Sequence, residues 1–158
     1  MKNIGKNKEK NYSIALNGVL ASLYVVLTLV NPISYGVFQF RISEALTILP
    51  IYKKETRLGI ILGVIVANSF SPLGLIDVFF GTSTAFIFYY LIDKLNINRY
   101  IKYILYCIEV GAIIGLELQI VYKVDFCITF FTTFFPQIIL CLLGDFLIKR
   151  FERRINNG

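Results

Sequence analysis

Arg41 and Glu44 stand three residues apart in Phe38-Gln39-Phe40-Arg41-Ile42-Ser43-Glu44-Ala45-Leu46-Thr47, a segment otherwise free of charge. A charge in such surroundings costs about 3 kcal/mol or more unless it is paired or faces a cavity, so it marks a functional site by default. A guanidinium offers a fork of donors, and a carboxylate can accept two adjacent N–H groups side by side. Asn68, Asp77, Glu117 and Gln119 add polar groups within other apolar runs, and Tyr35 and Phe134 supply aromatic surface. A few fixed polar groups among aromatic residues suit the capture of a small planar ligand. Catalysis fits less well. The chain has no His, which excludes a His-based triad and the usual His-containing zinc sites. Cys107, Cys127 and Cys141 are widely spaced in apolar runs and read as small buried hydrophobes.

The elements that must position these groups read as membrane helices. Of 158 residues 56% are hydrophobic and only 16% charged, well below the roughly 25% of a soluble domain. That length allows one domain with about six spans of roughly 20 residues. Apolar segments run over about 13–30, 35–52, 58–70, 73–92, 101–122 and 126–148, punctuated by Pro32, Pro50, Pro72 and Asn96-Ile97-Asn98. The expected fold class is an all-α integral membrane protein, a six-transmembrane-helix bundle. Residues 1–12 and 150–158 read as basic cytoplasmic tails, the first of them frayed, flanking a membrane domain at 13–149. The third and fourth segments, joined across Pro72, must form a tight hairpin.

Charge placement gives the orientation. On an alternating path with the N-terminus inside, the cytoplasmic ends hold Lys2, Lys6, Lys8 and Lys10; Lys53, Lys54 and Arg57; Lys94, Arg99 and Lys102; and Lys149, Arg150, Arg153 and Arg154. That is fourteen of the sixteen basic residues, leaving Lys123 outside and Arg41 within a span. By the positive-inside rule both termini are cytoplasmic. The net charge of +6 then needs no nucleic acid to explain it.

On this path Arg41, Glu44, Asn68, Asp77, Glu117 and Gln119 all fall in the outer half, as the makings of an outward-facing pocket. Simpler roles stay open for several. Arg41 and Glu44 could form an ion pair on one helix face, Asp77 could serve the start of the fourth helix, and Asn68 could join two helices. Small residues four apart mark close helix packing at Gly59, Gly63 and Ala67, at Gly81 and Ala85, and at Gly111 and Gly115. Gly18 and Ser22 could equally serve another subunit. The chain carries no phosphate-binding loop with which to use ATP itself, no potassium-filter sequence and no convincing inverted repeat. A small binding bundle driven by a separate motor fits these absences.

Leu23-Tyr24-Val25-Val26-Leu27-Thr28-Leu29, Pro32-Ile33-Ser34-Tyr35-Gly36 and above all Gln39-Phe40-Arg41-Ile42-Ser43-Glu44-Ala45-Leu46-Thr47-Ile48-Leu49-Pro50 carry a family resemblance. Ala67-Asn68, Asp77-Val78-Phe79-Phe80-Gly81-Thr82 and Gly115-Leu116-Glu117-Leu118 continue it. The chain resembles the QueT family of queuosine-precursor transporters, substrate-binding S components of energy-coupling factor (ECF) transporters. The resemblance implies a non-enzymatic S component in the bacterial cell membrane. It would capture queuine or a base such as 7-aminomethyl-7-deazaguanine from outside. It implies an EcfT coupling subunit and EcfA/EcfA' ATPases as partners, with ATP used there and no cofactor in this chain. Gly18, Ala21 and Ser22 match the small residues that such proteins offer to the coupling subunit. A deazaguanine presents two adjacent N–H donors, for which Glu44, Asp77 and Glu117 are candidate acceptors. A second acid could pair an aminomethyl cation, and Arg41 or Asn68 could serve the base carbonyl. The competing readings are a self-sufficient ion-coupled carrier and a non-transport membrane assembly protein.

Overall fold

The computed structural model describes residues 2–156, with side chains from 10 to 154. Lys2, Lys6 and Lys8, counted above with the basic N-terminal end, have side chains outside the described residues, as are residues 157–158 of the C-terminal tail. The fold is all-helical, with no strand among the described residues. Six α-helices follow in order: α1 (Lys2–Val30), α2 (Leu49–Tyr52), α3 (Arg57–Ser69), α4 (Leu75–Tyr90), α5 (Arg99–Tyr122) and α6 (Phe126–Asn156). Four stretches are long and apolar enough to cross a membrane: Lys10–Val30, Leu75–Lys94, Arg99–Tyr122 and Phe126–Arg154. The N-terminal residues expected to fray instead begin α1.

The expected second span is the main departure. Residues 31–56 form turns, a 3-10 turn at Ile42–Leu46, the single-turn α2 and a second 3-10 turn at Lys54–Thr56. Pro32 follows α1, Gly36 takes φ 109° and Pro50 starts α2, so the backbone is broken at each place where a continuous helix would have to pass. Non-helical backbone is tolerated at membrane depth only where protein covers it or it lines a cavity. Here neighbours supply the missing partners. The Asn31 amide donates to the Phe40 carbonyl, the Thr132 hydroxyl to the Val37 carbonyl at 2.9 Å, and the Tyr89 hydroxyl to the Thr47 carbonyl at 2.7 Å. Gly144 lets α6 lie directly on the Ala45 carbonyl, where a Cβ would collide.

Small residues set the remaining contacts. Gly59 and Gly63 bring α3 onto α1, where added Cβ atoms would stand 2.7 Å from the Asn17 carbonyl and from Tyr24 Cβ. Gly81 packs α4 on Asn68 of α3, and Gly111 and Gly115 admit Phe130 of α6 against α5. Gly18 has open space before it. The α3–α4 hairpin turns through Phe70–Gly74, as the sequence led us to expect. Tyr24, Ile60, Val64, Phe88, Tyr89 and Tyr106 form the centre of the core, with Phe88 stacked on Tyr106 at 4.1 Å.

Candidate functional site

The broken segment separates the two charges that the sequence placed on one helix face. Arg41 precedes the 3-10 turn in extended backbone (φ −90°, ψ 102°), whereas Glu44 lies within it. The two side chains serve different clusters, and no ion pair joins them among the described residues.

Glu44 is half-buried and receives three donors from three helices. The Tyr24 hydroxyl of α1 donates to Oε1. The Tyr106 hydroxyl of α5 and the Gln137 amide of α6 donate to Oε2 at 3.0 and 3.2 Å. A carboxylate offers about four acceptor sites, so roughly one remains. Gln137 turns its amide nitrogen to Glu44, and its side-chain carbonyl accepts no hydrogen bond among the described residues. Behind the turn, the Thr28 and Ser43 hydroxyls meet at 2.6 Å and fix its backbone to α1.

Arg41 is the centre of the second cluster. Its Nε donates to the Ser34 carbonyl at 2.7 Å, one terminal nitrogen donates to Asn68 Oδ1 at 2.6 Å, and the other lies 3.9 Å from the Asp77 carboxylate. The guanidinium sits 5.0 Å over the Tyr35 ring, whose hydroxyl donates to the Ala67 carbonyl at 2.6 Å. Asn68 donates in turn to the Asp77 carbonyl at 3.0 Å, so it does join α3 to α4. Asp77 lies in the first turn of α4, where the helix dipole favours a carboxylate, but it bonds the Ser71 hydroxyl rather than a helix N–H.

Between the clusters lies a cavity of about 40 Å³ lined by Arg41, Glu44 and Asn68 together with Gln39, Thr84, Thr133 and Gln137, and closed by Val64, Tyr106, Val110, Ile114 and Leu140. That is space for about one or two waters, far below the 300 Å³ or more of a typical ligand pocket. A bicyclic base enters only if the lining side chains move apart.

Of the eight ligand-site residues expected from sequence, Arg41, Glu44 and Asn68 line this cavity. Asp77 and Tyr35 hold Arg41 from behind. Glu117 is fully buried, and neither of its carboxylate oxygens has a hydrogen-bond partner among the described residues. Gln119 is half-buried and makes no side-chain hydrogen bond among the described residues. Phe134 stacks on Phe130 at 5.4 Å and packs over Gly111, leaving its neighbours Thr133 and Gln137 to face the cavity. Sequence reasoning missed Tyr24, Tyr106, Gln137, Gln39 and Thr84. Polar residues on separate helices carry no local sign that they meet. Cys107 and Cys141 are buried, with sulfurs 3.9 Å apart, while Cys127 is exposed rather than buried.

Residues 14–153 match the family model described as QueT transporter. A protein of Lactococcus lactis subsp. cremoris (strain MG1363) named queuosine precursor transporter QueT is 26% identical, with the match covering 94% of this chain and 97% of that one. No solved structure matches. With the family model covering nearly the whole bundle, from α1 to the end of α6, this chain belongs to the QueT transporter family.

Proposed function

We propose that this chain is the substrate-binding S component of an ECF-type transporter and takes up a 7-deazaguanine precursor of queuosine across the bacterial cell membrane. The name of the Lactococcus relative, queuosine precursor transporter, supports the cargo class. The observation that carries the reading is Glu44: a carboxylate held by Tyr24, Tyr106 and Gln137 at the wall of an interior cavity, with acceptor capacity left over. Glu44 takes one N–H of the base edge and the neighbouring Gln137 carbonyl takes the other. Arg41 and Gln39, across the cavity, serve the base carbonyl.

In this reading both termini are cytoplasmic, and the segment 31–56 completes the return across the membrane without a continuous helix, giving six passages. The basic residues grouped at Lys53–Arg57, Lys94–Lys102 and Lys149–Arg154 support that path. The outward groove on α1, lined by Ala15, Gly18, Val19, Ser22, Leu23 and Val26, is the surface for EcfT; Ala21 lies outside that lining, its carbonyl beside Gly63 of α3. EcfA and EcfA' would supply the ATP hydrolysis for which this chain has no phosphate loop.

Calorimetric titration of the purified chain with 7-deazaguanines and guanine tests the cargo. We expect a deazaguanine to bind and Glu44→Gln to weaken it by roughly tenfold or more, the worth of a hydrogen bond to a charged group. Equal affinity in Glu44→Gln would remove Glu44 from the site and with it the reading.

A further inference from the structure

A second cavity lies at the basic end of the bundle, between α6 and the segment that ends in α2. Its volume is about 280 Å³, far more than that of the interior cavity. Ala45, Leu46 and Leu49 form one wall, and Gly144, Leu147 and Phe151 the other. Followed along the chain, each wall starts apolar and ends on a charge, Lys53 on the first and Glu152 on the second. From Gly144 to Glu152 the helix rises about 12 Å, enough to reach from the hydrocarbon layer to headgroup level.

The surroundings say what covers this groove. Leu147 and Phe151 are exposed, so it is open on the flank that lipid tails bathe. A tail gains about as much from the bilayer as from an apolar cleft, so the headgroup decides which lipid stays. The mouth carries the charge for that choice. Lys53 is exposed and has no carboxylate within ion-pair distance among the described residues. Arg99 has none either. Its guanidinium lies 5.3 Å over the ring of Tyr52, a lining residue, and donates to the Tyr52 hydroxyl at 2.8 Å. Lys149, by contrast, is spent on Asp145 at 2.6 Å. Two uncommitted cations thus stand with one uncommitted acid, Glu152. A phosphodiester suits the cations, and a headgroup with hydroxyl donors suits the acid.

The geometry points to this groove as a binding site for one anionic phospholipid of the phosphatidylglycerol type. One acyl chain lies between α6 and the 3-10 turn, the phosphate sits at Lys53 and Arg99, and the glycerol hydroxyls donate to Glu152. The tail packs on Ala45 and Leu46, directly after Glu44, and braces that turn on a side away from the interior cavity. The site needs no cargo, so it stands apart from the deazaguanine reading.

The test is native mass spectrometry of the full chain in detergent, titrated with phosphatidylglycerol and phosphatidylcholine of identical chains. We expect the wild type to retain the glycerol lipid over the choline lipid by about fivefold or more, the worth of one basic contact. Lys53→Gln combined with Arg99→Gln should bring that ratio to about one. Lys94→Gln, which removes a charge from the same end but outside the groove, should leave the ratio unchanged. Leu147→Trp, placed to fill the groove, should lower retention of both lipids. Equal retention by the wild type, a ratio that survives the double variant, or an equal fall in Lys94→Gln would leave only loose lipid drawn to a basic end and overturn the site. Undiminished retention in Leu147→Trp would take the tail out of the groove and overturn it too. If the wild type retains neither lipid, the groove belongs to a protein segment and the lipid site falls.

Discussion

Tyr24, Tyr106 and Gln137 come from three different helices and spend their polar atoms on one carboxylate. Each donor fixes Glu44 in orientation and stabilises its charge before any ligand arrives, the preorganisation that a small, water-poor site requires. Tyr106→Phe removes one donor while keeping the ring stacked on Phe88. It should weaken deazaguanine binding by about 1 kcal/mol, or roughly fivefold, in the same titration. An unchanged affinity would show that two donors suffice. At this scale the sequence was legible where charge interrupts apolar runs, as at Arg41 and Glu44, which the structure brings to one cavity. It was silent on Tyr24 and Tyr106, because a tyrosine in a membrane helix reads equally as core or as interface anchor. Arg41 and Glu44 both line the cavity, but the helical spacing that seemed to join them describes a helix the chain does not form.

Residues 31–56 lack a continuous helix, yet the elements around them hold them firmly. Asn17 of α1 donates to the Ser13 and Glu55 carbonyls at 2.8 and 2.9 Å and accepts the Gly59 N–H at 2.5 Å, tying the end of that segment and the start of α3 to one side chain. Asn17→Ala strands a donor at Gly59 and an acceptor at Glu55. We expect a loss of about 1–2 kcal/mol, read as a lower melting temperature in detergent with the helical signal intact. The long helices were legible because apolar runs of twenty residues admit few alternatives. The second segment was not, since its apolar length is compatible with a helix and only tertiary partners such as Tyr89 and Thr132 make the broken path affordable. Pro32, Gly36 and Pro50 were the available warnings.

Away from Arg41's cluster, the ion pairs among the described residues gather into two knots. Asp93 binds Arg57 and, at 3.1 Å, Lys102; Asp145 accepts from Tyr52, from Tyr103 at 2.9 Å and from Lys149 at 2.6 Å. Both knots belong to the basic end assigned to the cytoplasm, and there they fasten α2, α3, α5, α6 and the turn that follows α4. The assignment makes a direct prediction. Lys123→Cys, in a Cys127→Ser background, should react with a membrane-impermeant maleimide on intact cells, and Lys94→Cys only after permeabilisation. The reverse pattern would invert the topology. One consequence follows from the brevity of α3. Its thirteen residues rise about 20 Å, and Leu58, Leu62, Val66 and Phe70 form its exposed stripe. An oily layer about 30 Å deep meets a low wall there and full-height walls along α5 and α6. Lipid tails must shorten or the molecule must lean, so its upright posture is held under tension that a thinner membrane would relax.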